Sequence, residues 1–297
     1  MSDSVRERDA GRERWNPLRG FVPLFRRELK GQMRGRRASV TFTVYLALMV
    51  VVLTGVLLVA DSAGSKGDPT VGQVLFIAMA FTQTALILLL GPVFAAGAIA
   101  GERERQTFET LVSTRMTSGG IVLGKVAGAV GFLVVLTASS LPLMALAYVF
   151  GGVGPSTIFA VYGWDLLLMI WVVSLAVAAS SLVGRTLWAA VITYVLVFLA
   201  VFMTGFLEVV QMSLRAAAQD GAAQDGAASL IFLYANPFSG LWELAIPGVR
   251  EEIGLEVALK SFALSGGAWH AAVSAAALGL AVWAVSPLRR RWGRQNG

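Results

Sequence analysis

The stretch GERERQTFETLVSTRMTSGGIVLGK, residues 101–125, decides how the rest of the chain is organised. It is the only sizeable polar segment between two long apolar runs, and it carries charges of both signs. Its apolar residues have the spacing of one helical face: Phe108, Leu111, Val112 and Met116. A short amphipathic helix between two membrane spans must lie along the bilayer surface or dock on a soluble protein. The sequence therefore predicts a surface helix within residues 101–120.

The composition around this stretch is that of a membrane protein. Of 297 residues, 56% are hydrophobic and 14% are charged, which is too little polar surface for a soluble domain. The absence of cysteine excludes disulfides, thiolate metal sites and cysteine nucleophiles. The net charge of +6 comes from basic residues beside apolar runs, so orientation in a membrane explains it better than nucleic-acid binding does. The predicted fold class is an all-α integral membrane protein.

Six apolar runs are each near or above the roughly 20 residues that a helix needs to cross a bilayer. They lie at 39–60, 71–100, 121–150, 157–183, 187–210 and about 262–286. We expect Pro92 to kink the second run and Pro142 to kink the third. Together the runs predict one six-span domain over residues 39–287.

The distribution of basic residues predicts the topology. Twenty of the 24 Lys and Arg residues fall on one side if both termini share that side. The positive-inside rule then places three segments in the cytoplasm. These are the arm 1–38, which contains an amphipathic helix beside the first span, the segment 101–120, and the basic tail 288–297.

The loop 211–261 is then external. It begins with the repeat AAQDG at 217–221 and 222–226, which is typical of a low-complexity linker. The apolar piece that follows is too short and too broken by proline to cross a membrane. We expect it to form re-entrant or interfacial helices, with Trp242 at the depth of the lipid headgroups.

Two fragments imitate nucleotide-binding motifs without the strand–loop–helix context that the chemistry needs. Gly119 to Lys125 matches the phosphate-binding loop up to its last position, where Val126 replaces the Ser or Thr that holds magnesium. Residues 264–267 read LSGG, as in ABC ATPases, but they open the sixth span. We therefore expect this chain to bind no ATP and no other cofactor directly.

Hydrolytic and metal chemistry are also disfavoured. Ser265 and His270 are the pair that an intramembrane serine protease would need, but residues five apart on a helix point to different faces. We expect His270 to be an interfacial residue beside Trp269. One histidine without cysteine cannot form a zinc site. The chain is thus predicted not to be an enzyme.

Polar residues within the spans are few. We expect no span to carry a charge at its centre, which disfavours a proton- or sodium-coupled secondary transporter. The Ser, Thr, Ala and Gly content is typical of close helix packing. Gln83 is the one candidate residue for a substrate pathway.

The segment 101–125 resembles a motif of the membrane subunits of type-2, exporter-class ABC transporters. That family has approximately E-R-E-x-x-T-x-E-x-L after the second span and I-x-x-G-K at the start of the third. Here these stand as ERERQTFETL at 102–111 and IVLGK at 121–125. The sequence departs from the family where Arg115 replaces a common proline and Gly120 replaces a charged residue. The amphipathic arm, the six spans and the long fifth connection are similar as well.

The resemblance implies that the segment is a coupling helix seated on a separately encoded cytosolic ATPase, which would bind the ATP and magnesium. The residues that it implicates in coupling are Glu102, Glu104, Thr107, Phe108, Glu109, Leu111, Val112 and Met116. The apolar ones would form the docking face or its membrane-side support. Glu102, Glu104 and Glu109 would orient the helix through charge pairs with the partner or with the N-terminal arm.

The resemblance also implies a pair of permeases, either two copies or one copy with a paralogue. The second and fifth spans would line the path between them. The expected location is the cell membrane, here of a bacterium, since the permease carries no ATPase domain. The alternative function is a membrane scaffold or assembly factor that recruits a cytosolic partner without transport.

Overall fold

The structure, a computed structural model, describes residues 21–64, 68–107, 117–217, 234–245 and 262–286. Regular structure in these ranges is helical throughout and includes no strand, which confirms the predicted all-α class. In chain order the α-helices are α1 (Phe21–Met33), α2 (Arg36–Ser62), α3 (Pro69–Ala95), α4 (Gly97–Glu104), α5 (Ser118–Ala138), α6 (Leu141–Phe150), α7 (Pro155–Leu182), α8 (Thr186–Phe198), α9 (Thr204–Ala217), α10 (Pro237–Ala245) and α11 (Phe262–Val285). A π-helical turn, Leu199–Met203, joins α8 to α9.

Six helical stretches in the described ranges are long and apolar enough to cross a membrane, as predicted. Span 1 is Ala38–Ser62, span 2 Thr70–Glu104, span 3 Ser118–Phe150, span 4 Pro155–Leu182, span 5 Thr186–Gln211 and span 6 Leu264–Val285. The 35 residues of span 2 extend over roughly 50 Å, well beyond the roughly 30 Å hydrocarbon layer. The end of span 2 therefore projects past the bilayer, on the side that we call the arm side because α1 lies there.

Span 4 is the centre of the bundle. It packs against spans 2, 3, 5 and 6, and its residues Val172, Val173, Ala176 and Val177 are fully buried. Close approach to span 2 requires Gly91, because a Cβ at that position would lie 2.5 Å from Cγ1 of Val172. Spans 1 and 5 lie at the periphery, and most of their apolar surface is uncovered in the single chain.

Spans 2 and 3 are both interrupted near the prolines that were expected to kink them. Span 2 divides between α3 and α4 at Ala96, one turn after Pro92, which cannot donate a helical hydrogen bond. Ser180 of span 4 compensates there, since its Oγ accepts hydrogen bonds from the backbone N–H groups of Ile99 at 3.0 Å and Ala100 at 2.8 Å. Span 3 divides between α5 and α6, immediately before Pro142.

Side-chain caps begin two of these spans. At the start of span 2, Asp68 accepts a hydrogen bond from the Thr70 backbone N–H at 2.9 Å. That bond keeps the pKa of Asp68 below its usual value. At the start of span 3, Thr117 Oγ1 accepts from the Gly120 N–H at 3.0 Å. Both caps satisfy amide groups that a helix start leaves unpaired.

On the side opposite α1, helix α10 covers the ends of spans 2, 4 and 6. Trp164 of span 4 lies over Gly240 and donates from Nε1 to the Pro237 carbonyl oxygen at 3.0 Å. Trp242 is half exposed and contacts the Phe81 ring edge to face. The apolar piece of the long loop thus includes a helix packed on the spans. The AAQDG repeat after Ala217 and the tail 288–297 lie outside the described residues.

Candidate coupling site

Helix α4 ends in a sharp turn within the predicted surface helix 101–120, so residues 101–104 are the end of span 2. We call the stretch between α4 and α5, residues 105–117, the coupling segment. The Thr107 N–H donates to the Glu102 carbonyl oxygen and the Gln106 N–H donates to that of Arg103, the pair of bonds that defines a Schellman motif. Gln106 takes the left-handed conformation that this motif requires, with φ of 58°. The Thr107 hydroxyl also donates to the Glu102 carboxylate. Span 2 therefore stops at Glu104, and α5 begins only at Ser118.

Lys125 forms the centre of an ion cluster just inside span 3. Its side chain is 2% exposed, and its Nζ lies 3.1 Å from Glu28 of α1 and 3.3 Å from Glu102 of α4. A buried ammonium group needs such partners, because without them its desolvation would be strongly unfavourable. One lysine thereby joins the amphipathic arm, the end of span 2 and the start of span 3.

Glycines on α5 allow α1 to approach closely enough for this cluster to form. A Cβ at Gly124 would lie 2.6 Å from Leu24 Cδ2, and a Cβ at Gly128 would lie 2.5 Å from Glu28 Cβ. Both distances are too short for real side-chain atoms, so α1 sits in a groove that only glycine provides. Gly124 and Lys125, which imitate a phosphate-binding loop in sequence, serve instead to dock the arm.

Glu104 ties the same end of span 2 to span 5. Its two carboxylate oxygens accept hydrogen bonds from Thr186, one from the backbone N–H at 2.9 Å and one from the hydroxyl at 2.8 Å. Thr186 is the first residue of α8, so Glu104 satisfies an unpaired amide at that helix N-terminus and places negative charge where the helix dipole favours it. Glu102 and Glu104, two residues apart, thus bind to different spans.

The predicted coupling residues fall into two groups. The structure places Glu102, Glu104 and Thr107 at the end of α4, where they bond to the chain itself. Glu102 reaches the N-terminal arm through Lys125, whereas the bond from Glu104 to span 5 was not anticipated from the sequence. The residues outside the described ranges are Phe108, Glu109, Leu111, Val112 and Met116.

The expectation that no span carries a charge at its centre is wrong. Asp165 lies in span 4 and is completely buried. Its carboxylate accepts one hydrogen bond from Gln83 Nε2 and one from Thr84 Oγ1, both at 2.7 Å. No ion pair to Asp165 occurs within the described ranges, so two neutral donors on span 2 stabilise the group.

Gln83, the candidate pathway residue, is fully buried in this polar cluster. Its Oε1 accepts from Ser140 Oγ at 2.6 Å and from the Tyr45 hydroxyl at 3.1 Å. Ser140 also lies 3.1 Å from the Tyr162 hydroxyl, at the interruption of span 3. The cluster therefore joins spans 1 to 4. It also gives both the oxygen and the nitrogen of the buried Gln83 amide a hydrogen-bond partner.

The expectation that His270 is interfacial is also wrong. The side chain is completely buried, with its ring edge to face against Trp164 and Trp171 of span 4. Its Nδ1–H donates to the Gly266 carbonyl oxygen at 2.7 Å, one turn earlier in α11. The neighbouring Trp269 is the half-exposed residue. The residues around position 270 are mostly apolar, so the sequence does not show which face of this helix points into the bundle.

A comparison with protein families agrees with this architecture. The model of a family described as ABC-2 family transporter protein matches residues 22–249, from α1 into the long fifth connection. The matched range contains the whole ion cluster around Lys125 and the polar cluster around Asp165. No curated protein matches the chain. Because the match covers well over half of the sequence, the chain belongs to the ABC-2 family and is a multi-pass membrane permease subunit of an ABC transporter.

Proposed function

We propose that this permease exports its substrate in the cell membrane, powered by a separate ATPase subunit that docks on residues 105–117. The arm side then faces the cytoplasm, with both termini inside, as the distribution of basic residues favours. Neither nucleotide nor metal is assigned to this chain. ATP and magnesium would bind to the ATPase subunit, and this chain would convert its movement into a rearrangement of the spans.

The observation that carries the proposal is the anchoring of the coupling segment at both ends. Before the segment, Glu102 and Glu104 bond to span 3 and span 5. After it, α5 leads directly into Lys125, which holds the arm through Glu28. A force applied to residues 105–117 would therefore reach spans 2, 3 and 5 and the arm together. Such a linked element is what long-range coupling between two states requires.

We propose further that two permeases, identical or paralogous, form the path between them. Span 5 leaves most of its apolar surface uncovered, including Leu187, Phe198 and Phe202. A second copy related by a twofold axis would cover part of this surface. The family resemblance assigns spans 2 and 5 to the path. Gln83 of span 2 is buried inside the single bundle and bonded to spans 1, 3 and 4, so it would act on that path only by positioning span 2.

The first test is purification of the tagged full chain from its native membrane in mild detergent, followed by an ATPase assay. We expect a soluble ATPase subunit to co-purify and its turnover to be inhibited by vanadate. Leu111→Asp should abolish co-purification, because it places a charge on the predicted docking face. Ser113→Asp adds the same charge off that face and should leave co-purification intact.

Two results would contradict the proposal. If no ATPase subunit co-purifies with the wild-type chain, the scaffold function is favoured instead. If Leu111→Asp and Ser113→Asp recover equal amounts of ATPase subunit, residues 105–117 are not the docking segment.

A further inference from the structure

A cavity of about 1100 Å³ opens on the arm side beside the Lys125 ion cluster. Its walls come from the end of α1, the first turns of α2, both halves of span 2 and the start of α5. Every residue that lines it lies in the described ranges. Nothing in the coupling mechanism above uses this space.

The mouth of the cavity is strongly basic. Arg34, Arg36 and Arg105 line it, and all three are exposed and form no ion pair with a described carboxylate. Glu28 and Glu102 also line the cavity, but both are already bound to Lys125. The four cations outnumber the two carboxylates, so the lining has a net positive charge. Guanidinium groups in this arrangement favour a phosphate, which they can bind through paired hydrogen bonds.

The deeper wall is apolar and accessible. Val40 is 53% exposed and Val93 59%, and Phe94 lies beside them. Val93 and Arg105 are 12 residues apart on span 2, which corresponds to roughly 18 Å along the helix. The cavity thus runs from the charged end of the span well into its apolar part. A free phosphate would occupy the mouth alone, whereas a phospholipid has a phosphate and an acyl chain in the same order and spacing.

We infer that this cavity binds an anionic phospholipid from the arm-side leaflet, with its phosphate on Arg34, Arg36 and Arg105 and an acyl chain along Val40 and Val93. The bound lipid would bridge α1, α2 and span 2 next to the Lys125 cluster. It would therefore stabilise the arm against span 2 and make coupling sensitive to the lipid composition of the leaflet. The inference does not depend on the transport direction or on the identity of the ATPase subunit.

The test is native mass spectrometry of the delipidated full chain, titrated with dioleoylphosphatidylglycerol or dioleoylphosphatidylcholine. We expect one phosphatidylglycerol to bind with clear preference over phosphatidylcholine. The double variant Arg34→Gln/Arg36→Gln should weaken that binding at least about ten-fold, because each basic group near a lipid headgroup contributes substantially to the attraction. Arg26→Gln/Lys30→Gln removes the same charge from exposed positions of α1 outside the cavity and should bind as the wild type does.

A second variant tests the acyl-chain part without changing charge. Val93→Trp fills the apolar wall at an exposed position and should also reduce the binding of phosphatidylglycerol. Equal binding of the two lipids, or equal loss in both double variants, would overturn the inference. Displacement of the lipid by millimolar inorganic phosphate would identify a small-anion site instead. A disulfide between two copies of Val40→Cys would show that a second permease covers the wall, which also contradicts lipid binding.

Discussion

Asp165 and Lys125 are both buried ionisable residues, and the chain satisfies them in different ways. Lys125 has two carboxylates within 3.3 Å, so attraction between opposite charges offsets its desolvation. Asp165 has only neutral donors, Gln83 and Thr84, within the described part of the chain. The removal of one partner from such a site leaves the other group buried and unsatisfied, which destabilises a protein more than the loss of the bond itself.

The variant Gln83→Leu tests this account of Asp165. It removes a donor from the carboxylate and should lower the free energy of unfolding by about 1–3 kcal/mol, seen as a lower thermal midpoint in detergent. The double variant Gln83→Leu/Asp165→Leu should recover much of that loss, because it leaves no buried carboxylate behind. Thr82→Val is a matched control, since among the described residues the Thr82 hydroxyl bonds to the Ala78 carbonyl oxygen of its own helix alone. Additive losses in the double variant would show that Gln83 and Asp165 are not coupled.

At this scale the sequence predicted some site residues and missed others for a physical reason. Gln83 is recognisable because an amide interrupts a long apolar run. Its partner Asp165 is 82 residues away, and no local pattern shows that spans 2 and 4 bring the two together. The same limit applies to Glu104 and Thr186, whose bond depends on how two distant helix ends meet. Asp165 itself is visible as a carboxylate within the apolar run 157–183, so local polarity was sufficient to find it and the expectation of no charge there overlooked it. The contact between Gln83 and Asp165 depends on the packing of the spans, which local polarity does not show.

At the scale of the helices, hydropathy was a sufficient guide to the six spans. Each predicted run overlaps its helix almost completely, since a membrane span is defined by composition over about 20 residues. The docking of α1 was not predictable in the same way. In the sequence, nothing marks Gly124 and Gly128 as a docking groove. Only the structure shows that Leu24 and Glu28 lie against them. A glycine spacing of four residues occurs in many spans, and only the contact gives it a function.

The close fit of α1 in the glycine groove of α5 predicts that a larger side chain in the groove will displace α1. Gly128→Val would place its Cβ against Glu28 and should displace α1 from α5. We expect trypsin to cleave the folded protein faster after Arg26, Arg27 and Lys30, which lie on that helix. Gly119→Val is the matched control, because a Cβ at Gly119 on the same helix meets no atom within 4 Å. Equal cleavage rates in both variants would contradict the docking of α1.

In the whole molecule, two groups of polar contacts hold span 2 at different depths. The Gln83 cluster binds it to spans 1, 3 and 4, and the Glu102 and Glu104 bonds fix its end to spans 3 and 5. The two groups are 19 residues apart, roughly 28 Å along the helix, and the interruption at Ala96 lies between them. Span 3 has a second interruption, at the level of Ser140. If the arm-side ends of these spans move, spans 2 and 3 can thus bend at the two interruptions while the polar cluster still holds the spans together.

From this arrangement we propose that arm-side coupling depends on Lys125. Lys125→Met would leave Glu28 and Glu102 close together without the ammonium group that binds both. It should lower stability by about 1–3 kcal/mol and abolish the permease-dependent part of the ATPase activity. The triple variant Lys125→Met/Glu28→Gln/Glu102→Gln removes the repulsion as well, so its thermal midpoint should return towards that of the wild type. Its coupling should not return, since the ionic tie between arm, span 2 and span 3 is still absent.

The two measurements on this triple variant separate a structural role of Lys125 from a role in coupling. Lys30→Met is the control, because it removes a lysine that is exposed on α1 and should change neither measurement. If the triple variant recovers both stability and permease-dependent ATPase activity, the ionic bonds of the cluster are not needed for coupling. Force must then reach the spans by another route. If stability alone recovers, the bonds of Lys125 carry the movement of the coupling segment to the arm, and the groove on α5 serves to hold α1 where Glu28 can meet that lysine.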